Sequence, residues 1–203
     1  MIAILDYDAG NLRSVEKAFL YLGQDVTVTA DPKEILSADR VVLPGVGAFR
    51  DAMDKLKAAK LDTVVKEVVA KKTPFLGICL GMQLLYEYSE EGDCEGLGLL
   101  KGTVKRFPAD SGLKIPQIGW NHLNVQKESR LLTGVEIPPY VYFVHSYYVD
   151  AADKSTVAAT VEYGAVADVL VETESIHLTQ FHPEKSGKTG LRMLENFANG
   201  VTL

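Results

Sequence analysis

The first eighty residues alternate between short apolar runs and amphipathic runs, and that alternation most constrains the fold. Ile2–Tyr7 is an apolar run ending in polar residues. Asn11 stands as an N-cap candidate ahead of Leu12, Val15, Phe19 and Leu22, which share one helical face. Gln24–Thr29 alternates like a strand and stops at Ala30-Asp31-Pro32. Val41-Val42-Leu43 reads as a short buried strand, broken by Pro44-Gly45-Val46-Gly47. Leu61, Val64, Val65, Val68 and Val69 recur at helical spacing and form one apolar stripe. Phe75-Leu76 then runs into Gly77-Ile78-Cys79-Leu80-Gly81. Such a β-α-β-α-β order implies an open parallel sheet with helices on both faces. Ligands of these sheets bind beyond the carboxyl ends of the strands. Gly10-Asn11, Gly45–Gly47 and Cys79 all fall at such ends, so one crevice should collect them.

The second half changes character. Strand-like runs dominate: Gly102–Phe107, Ile115–Asn124, Tyr140–Val149, Thr156–Val161, Ala167–Glu172 and Ile176–Phe181. Some of these should pair antiparallel. Pro138-Pro139 and Gly164 punctuate them. The chain closes on a helix burying Leu191, Leu194, Phe197 and Ala198. No repeat, linker or low-complexity stretch interrupts the 203 residues, which read as a single α/β domain over 1–203.

Composition narrows the partners. A net charge of -6 with no basic cluster argues against nucleic acid or an anionic membrane surface. No stretch is long and apolar enough to span a bilayer. The N-terminus lacks a basic leader and reads directly as a first strand, so the expected location is the cytoplasm. Cys79 and Cys94 lie far apart, and a structural disulfide is not expected. Cys94, in the polar stretch after Glu90, reads as an incidental loop thiol.

Gly77–Gly81 is a strand, a tight turn and the start of an amphipathic run, Met82-Gln83-Leu84-Leu85-Tyr86, with cysteine at the apex. It is the G-x-[nucleophile]-x-G elbow with sulfur in place of oxygen. A helix starting there would turn free N–H groups and its positive dipole end toward the sulfur, favouring thiolate. A buried structural cysteine is the bland alternative. His182-Pro183-Glu184 weighs against it. Ile176–Phe181 places His182 at a strand end, and Pro183 should hold the segment extended. Residues i and i+2 of an extended chain share a side, so Glu184 can orient the imidazole. Nucleophile, base and orienting acid then follow in the order Cys, His, Glu.

Other motifs carry less. Ser186-Gly187-Lys188-Thr189 matches the tail of a phosphate-binding loop, but the glycine required five residues before Gly187 is His182, so no nucleotide is expected. The segment reads instead as a helix start capped by Ser186 or Gly187. His122, His145, His177 and His182 have no partner at metal-ligand spacing, and neither a metal nor a cofactor is expected. Pro44-Gly45-Val46-Gly47 is either a plain turn or a loop whose N–H groups can face an oxyanion. Tyr140, Tyr142, Phe143, Tyr147 and Tyr148, around His145-Ser146, are either a packed strand or a substrate wall. The residues alone leave open a cysteine peptidase, a glyoxalase-like hydrolase, or a binding module that has kept the sheet.

Gly77-Ile78-Cys79-Leu80-Gly81-Met82-Gln83 with His182-Pro183-Glu184 resembles the class I (triad) glutamine amidotransferases. Further blocks narrow the likeness: Asp6-Tyr7 with Gly10-Asn11-Leu12, Leu43–Phe49, Pro116 with Gly119-Trp120-Asn121, Tyr142–Tyr147, and Gln180–Ser186. They are similar to the glutaminase subunits of imidazole glycerol phosphate synthases and span residues 6–186. Asp8, Gln117 and Gly187 depart from the usual pattern, in hinge and interface loops rather than in the triad. The resemblance implies a flavodoxin-like fold: a mixed, mostly parallel open sheet with helices on both faces and some antiparallel strands in the C-terminal half. It implies L-glutamine as substrate and a (β/α)-barrel cyclase subunit as partner in a heterodimer. Cys79 would be nucleophile, His182 base and Glu184 its orienter. Leu80 and the Val46–Gly47 loop would form the oxyanion hole. Gln83, His145, Ser146 and Tyr147 would surround the glutamine. Asn11, Trp120, Tyr142 and Lys185 would face the barrel.

Overall fold

A computed structural model describes residues 1–8 and 10–202. The first half builds strands β1 (Ile2–Leu5), β2 (Val26–Thr29), β3 (Arg40–Gly45) and β4 (Phe75–Cys79). Between them run helices α1 (Leu12–Tyr21), α2 (Pro32–Ser37), α3 (Phe49–Ala58) and α4 (Leu61–Ala70). After a single turn, α5 (Leu80–Gln83), the chain becomes strand-rich: β5 (Tyr86–Ser89), β6 (Cys94–Glu95), β7 (Leu100–Arg106), β8 (Gln117–His122), β9 (Asn124–Val125), β10 (Tyr140–His145), β11 (Tyr147–Ala151), β12 (Val157–Glu162), β13 (Val166–Glu172) and β14 (Ile176–Thr179). It ends in α6 (Gly187–Asn199).

The main sheet runs β2-β1-β3-β4-β14-β13-β11-β7-β5-β6 among the described residues. The five strands from β2 to β14 are parallel. With β14 in fifth place this is the flavodoxin-like order 2-1-3-4-5. Beyond β14 the sheet turns antiparallel through β13, β11 and β7, while β5 pairs parallel with β7. The fold class expected from the sequence is thus observed.

Two-residue alternation sorts the strands' apolar side chains onto two faces. Ala3, Leu5, Val41, Leu43 and Phe75 pack against Ile35, Met53, Leu56, Val65 and Val68 of α2, α3 and α4. Ile2, Ile4, Val42, Leu76 and Ile78 pack against Val15 and Phe19 of α1 and Met193, Leu194 and Phe197 of α6. Each such large side chain taken out of water contributes about 1.5–3 kcal/mol, so both helical layers are anchored by their own stripe. β8 and β10 form a separate antiparallel ribbon, with Trp120 opposite Tyr142 and Gln117 opposite His145.

Four local expectations need correction. β3 does not stop at Leu43. Pro44 and Gly45 stay in the strand, and Gly45 pairs with Cys79. The amphipathic run after Cys79 is not a full helix. It unwinds after one turn because the carbonyls of Leu84 and Leu85 are taken by the N–H groups of Leu97, Leu99 and Leu100, and Tyr86 enters β5. Tyr140–Val149 is not one strand: the chain leaves the ribbon at Ser146, whose carbonyl accepts from Phe107, and joins the main sheet as β11. Cys94 is buried in β6 rather than loose in a loop.

Candidate active site

Cys79 sits at the carboxyl end of β4 with φ 54° and ψ −110°, a conformation that costs a non-glycine residue about 1–3 kcal/mol. The surroundings enforce it. A Cβ at Gly81 would stand 1.8 Å from the Leu43 carbonyl oxygen, and one at Gly77 would meet Leu178 at 2.7 Å. The turn can therefore close onto β3 only with glycine on both sides of the cysteine. The helix that follows is one turn long, so its dipole is a weaker source of positive field than the sequence pattern suggests.

His182 follows β14, the strand next to β4, and its backbone N–H donates to the Tyr142 carbonyl at 3.0 Å. Nδ1 donates to Glu184 Oε1 at 2.8 Å. Contrary to expectation, the two are not joined by extended chain. Pro183 opens a 3₁₀ turn over Pro183–Lys185, and the carboxylate swings back under the ring. The contact also selects the tautomer: with the proton on Nδ1, Nε2 is the basic nitrogen. Nε2 is buried and has no partner at hydrogen-bonding geometry. Burial alone would lower the His182 pKa, but the nearby Cys79 sulfur and then Glu184 raise it from 6.5 to about 9.

Asn11 has a second place in the site. It stands at the N-cap position of α1, yet its side chain does not cap the helix. Its Nδ2 donates instead to Glu184 Oε1 at 2.7 Å, so one carboxylate oxygen holds both the imidazole and α1.

A cavity of about 380 Å³ opens over the sulfur. Cys79 and His182 line it. Val46, Gly47, Leu80, Gln83, His145, Ser146 and Tyr147 line it as well. All these residues were expected from the sequence. Glu184 lies behind His182, outside the cavity wall. The structure also brings in residues that sequence reasoning did not assign. Glu91 lines the cavity. Its Oε2 accepts from the Phe49 N–H at 3.0 Å, and burial raises its pKa above the ordinary carboxylate value. Tyr7 is buried under the loop and donates its hydroxyl to the Pro44 carbonyl at 2.9 Å. Burial, then the Cys79 sulfur, push its phenol well above the usual value. Nothing in the spacing of Tyr7 or Glu91 marks them; only folding brings Tyr7 near the sulfur and Glu91 to the cavity wall.

His145 is buried and neutral, its pKa lowered to about 4, first by burial and also by the nearby His182. Its Nδ1 lies 2.8 Å from the Tyr147 carbonyl, and its Nε2 2.9 Å from the Gln117 side-chain amide. A neutral ring that donates from Nδ1 must accept at Nε2, so the Gln117 amide, whose Oε1 stands 2.9 Å away, has to turn its NH2 there instead. His145 thus shapes the wall and carries no exchangeable charge.

The four residues expected at a partner surface divide. Trp120 is 47% exposed and stacks on Tyr140, itself 52% exposed, at 5.9 Å. Tyr142 meets the edge of Trp120 at 6.1 Å. Together with Ile118 they make an exposed apolar face on the β8–β10 ribbon. Lys185, in the chain segment after His182, is exposed. Asn11 is half-buried and engaged with Glu184.

A family model described as Glutamine amidotransferase class-I matches residues 3–201. The chain is 49% identical over 202 residues to the imidazole glycerol phosphate synthase subunit HisH of Caldanaerobacter subterraneus, covering 99% of this chain and 98% of that protein. It is 48% identical over 201 residues to subunit HisH 1 of Methanococcus maripaludis, covering 97% and 98%. Among solved structures, a glutamine amidotransferase superposes with a TM-score of 0.76 at 18% identity, covering 98% of this chain and 99% of that one. PurLQS from Thermotoga maritima superposes with a TM-score of 0.75 at 18% identity, covering 98% and 97%. At that identity the solved structures speak for the fold alone.

Proposed function

Because the chain belongs to the class I glutamine amidotransferases and, within them, to the HisH family of imidazole glycerol phosphate synthase subunits, we propose that Cys79, His182 and Glu184 release ammonia from L-glutamine for a cyclase partner. The observation that carries this reading is one cavity holding the elbow sulfur beside an imidazole whose far nitrogen is fixed by a carboxylate.

His182 takes the thiol proton at Nε2, and the sulfur attacks the side-chain carboxamide carbon of glutamine. Negative charge develops on the carbonyl oxygen. The N–H of Leu80 and one from the Val46–Gly47 loop stabilise it, a contribution of about 3–4 kcal/mol per donor in such sites. His182 then gives its proton to the departing nitrogen and ammonia leaves. Water, deprotonated by the same imidazole, cleaves the γ-glutamyl thioester and frees glutamate. Glu91 supplies the acid suited to the α-ammonium of the substrate, and Gln83 a buried amide at its side.

Ammonia in bulk water is mostly protonated and no longer nucleophilic. It must reach its acceptor dry, and a docked synthase is the physical solution. The exposed Trp120–Tyr140–Tyr142 face, with Lys185, fits a partner with an apolar rim, which we take to be a (β/α)-barrel cyclase. The chain acts as a single amidotransferase domain over 1–203, in the cytoplasm. No helix among the described residues is long and apolar enough to cross a membrane, which is consistent with that location.

The test measures ammonia and glutamate release from glutamine by the chain alone and with the barrel cyclase carrying its nucleotide ligand. The expected result is weak turnover alone, a large rise in kcat on docking, and no turnover by Cys79→Ala. The Val46–Gly47 loop motivates the rise, because Gly47, at φ 105° with open space around it, carries no side chain to oppose a turn of its peptide. Equal turnover with and without the loaded partner would remove the regulatory part. Turnover retained in Cys79→Ala would remove the whole.

A further inference from the structure

Gln180 is a fully buried polar side chain without a role in the triad, and it touches the sulfur. It lies one residue past β14, where β14 and β4 pair Thr179 with Ile78, and it is therefore level with Cys79. Its Nε2 is 3.7 Å from Cys79 Sγ. Its Oε1 accepts from Gln83 Nε2 at 2.8 Å, and Gln83 Nε2 also donates to the Tyr147 carbonyl at 3.0 Å.

The far end of this chain forces its direction. A backbone carbonyl can only accept, so Gln83 turns its NH2 toward Tyr147. The same NH2 faces Gln180, which must answer with oxygen. Gln180 is then left with its own NH2 toward the sulfur, and Gln83 with its oxygen for the cavity. A thiolate accepts hydrogen bonds strongly and a thiol weakly, so an N–H at this place favours the anion. It also compensates for the short α5, whose single turn leaves the sulfur without the field of a long helix.

We propose that Gln180 is a positioning residue, which holds the Cys79 sulfur beside His182 through an N–H donor oriented by Gln83 and the Tyr147 carbonyl. The proposal rests on the reading of Cys79 as nucleophile, and it ties the amide that meets substrate to the atom that attacks it.

The test is alkylation of the full chain by iodoacetamide, followed across pH and located by peptide mass, in wild type, Gln180→Met and Gln180→Glu. Methionine keeps the volume and removes the donor. Its Cys79 should alkylate about tenfold more slowly at neutral pH, as expected for losing one hydrogen bond to a charged group. The profile should move to higher pH, with Cys94 unaffected. Glutamate, with an oxygen toward the sulfur, should be slower still. In the ammonia-release assay kcat should fall by a similar factor and KM by less than threefold. A Gln180→Met protein that alkylates at Cys79 with the wild-type rate and profile overturns the proposal. Should the variants not fold, the Gln180 side-chain amide protons of the wild type can be followed by NMR. They should shift as Cys79 titrates, and a flat response overturns the proposal equally. Alkylation needs no glutamine. A wild type whose Cys79 obeys Gln180 but releases no ammonia would therefore keep this role and remove the glutaminase reading instead.

Discussion

Replacing Cys79 with alanine should change the titration of a residue 103 positions away in sequence. In the intact site His182 titrates at about 9 against an ordinary 6.5, although burial works in the opposite direction. The rise corresponds to about 3 kcal/mol in favour of the charged ring. The largest favourable contribution comes from the sulfur and the next from Glu184, whose Oε1 is 2.8 Å from Nδ1. Cys79→Ala removes the first and leaves the second. The His182 midpoint should therefore fall by about 1 to 2 pH units, about 1.5–3 kcal/mol. NMR of the ring Cε1 proton reads it directly, with His177→Gln and His122→Gln assigning the signals. Stability should follow the same linkage. The folded-state value lies above the unfolded one, so the contribution is fully present below pH 6.5 and is lost as pH rises through about 9. In wild type the denaturation midpoint should fall across that window, and in Cys79→Ala it should fall less. A His182 midpoint that stays near 9 without the sulfur would refute the claim that the two side chains are electrostatically joined.

Asn11→Ala removes a 2.7 Å bond to the Glu184 carboxylate. Hydrogen bonds to charged groups are worth about 1.5–3 kcal/mol, so kcat should fall about tenfold or more even in chain-alone assays; a loss seen only with the partner present would assign Asn11 to the interface instead. Gly81→Ala forces a Cβ to 1.8 Å from the Leu43 carbonyl and should cost about 3 kcal/mol or more, visible as a lowered urea midpoint; an unchanged midpoint would show that the elbow relaxes freely. Away from the site, Glu172 is held at about 2: burial would raise it, but His177, Ser129 and Arg130 outweigh burial. Its stabilisation is present above the usual 4.5 and lost as pH falls toward 2, so Glu172→Gln should flatten the acid limb of stability, and an unaltered limb would contradict the assignment. Trp120→Ala, at a half-exposed position, should leave stability within about 0.5 kcal/mol and weaken cyclase binding tenfold or more, measured by calorimetry; unchanged affinity would move the interface elsewhere.

Most of the parallel half was legible because its strands and the helices α1 and α4 each carry their own period. Ile2 and Ile4 face one helical layer and Ala3 and Leu5 the other. The elbow was legible because only glycines at 77 and 81 permit it. Other features depend on distant partners. The run after Cys79 has helical spacing, yet Leu97, Leu99 and Leu100 capture its carbonyls from outside. Tyr140–Val149 is rich in aromatic and β-branched residues on both sides of His145-Ser146, so nothing in it marks Ser146 as the point where two sheets separate. Phe49, Ala52, Met53 and Leu56 do recur at helical spacing and mark α3, a signal masked by the glycine-rich loop just before it. Within the site, Cys79, His182 and Glu184 announce themselves by motif. Gln180, one strand step before His182, and Glu91, in an acidic turn, have no distinguishing spacing. Their roles come from strand register and from a cavity that exists only once β4, β14 and the β10–β11 junction meet.

The proposed glutaminase chemistry requires that one particular sulfur carry the γ-glutamyl group during turnover. A diazoketone analogue of glutamine, incubated with the intact chain and its cyclase, tests it most directly by peptide mass spectrometry. One adduct is expected, on Cys79, formed in parallel with loss of ammonia release and prevented by excess glutamine. An adduct on Cys94, or inactivation that leaves Cys79 unmodified, would contradict it.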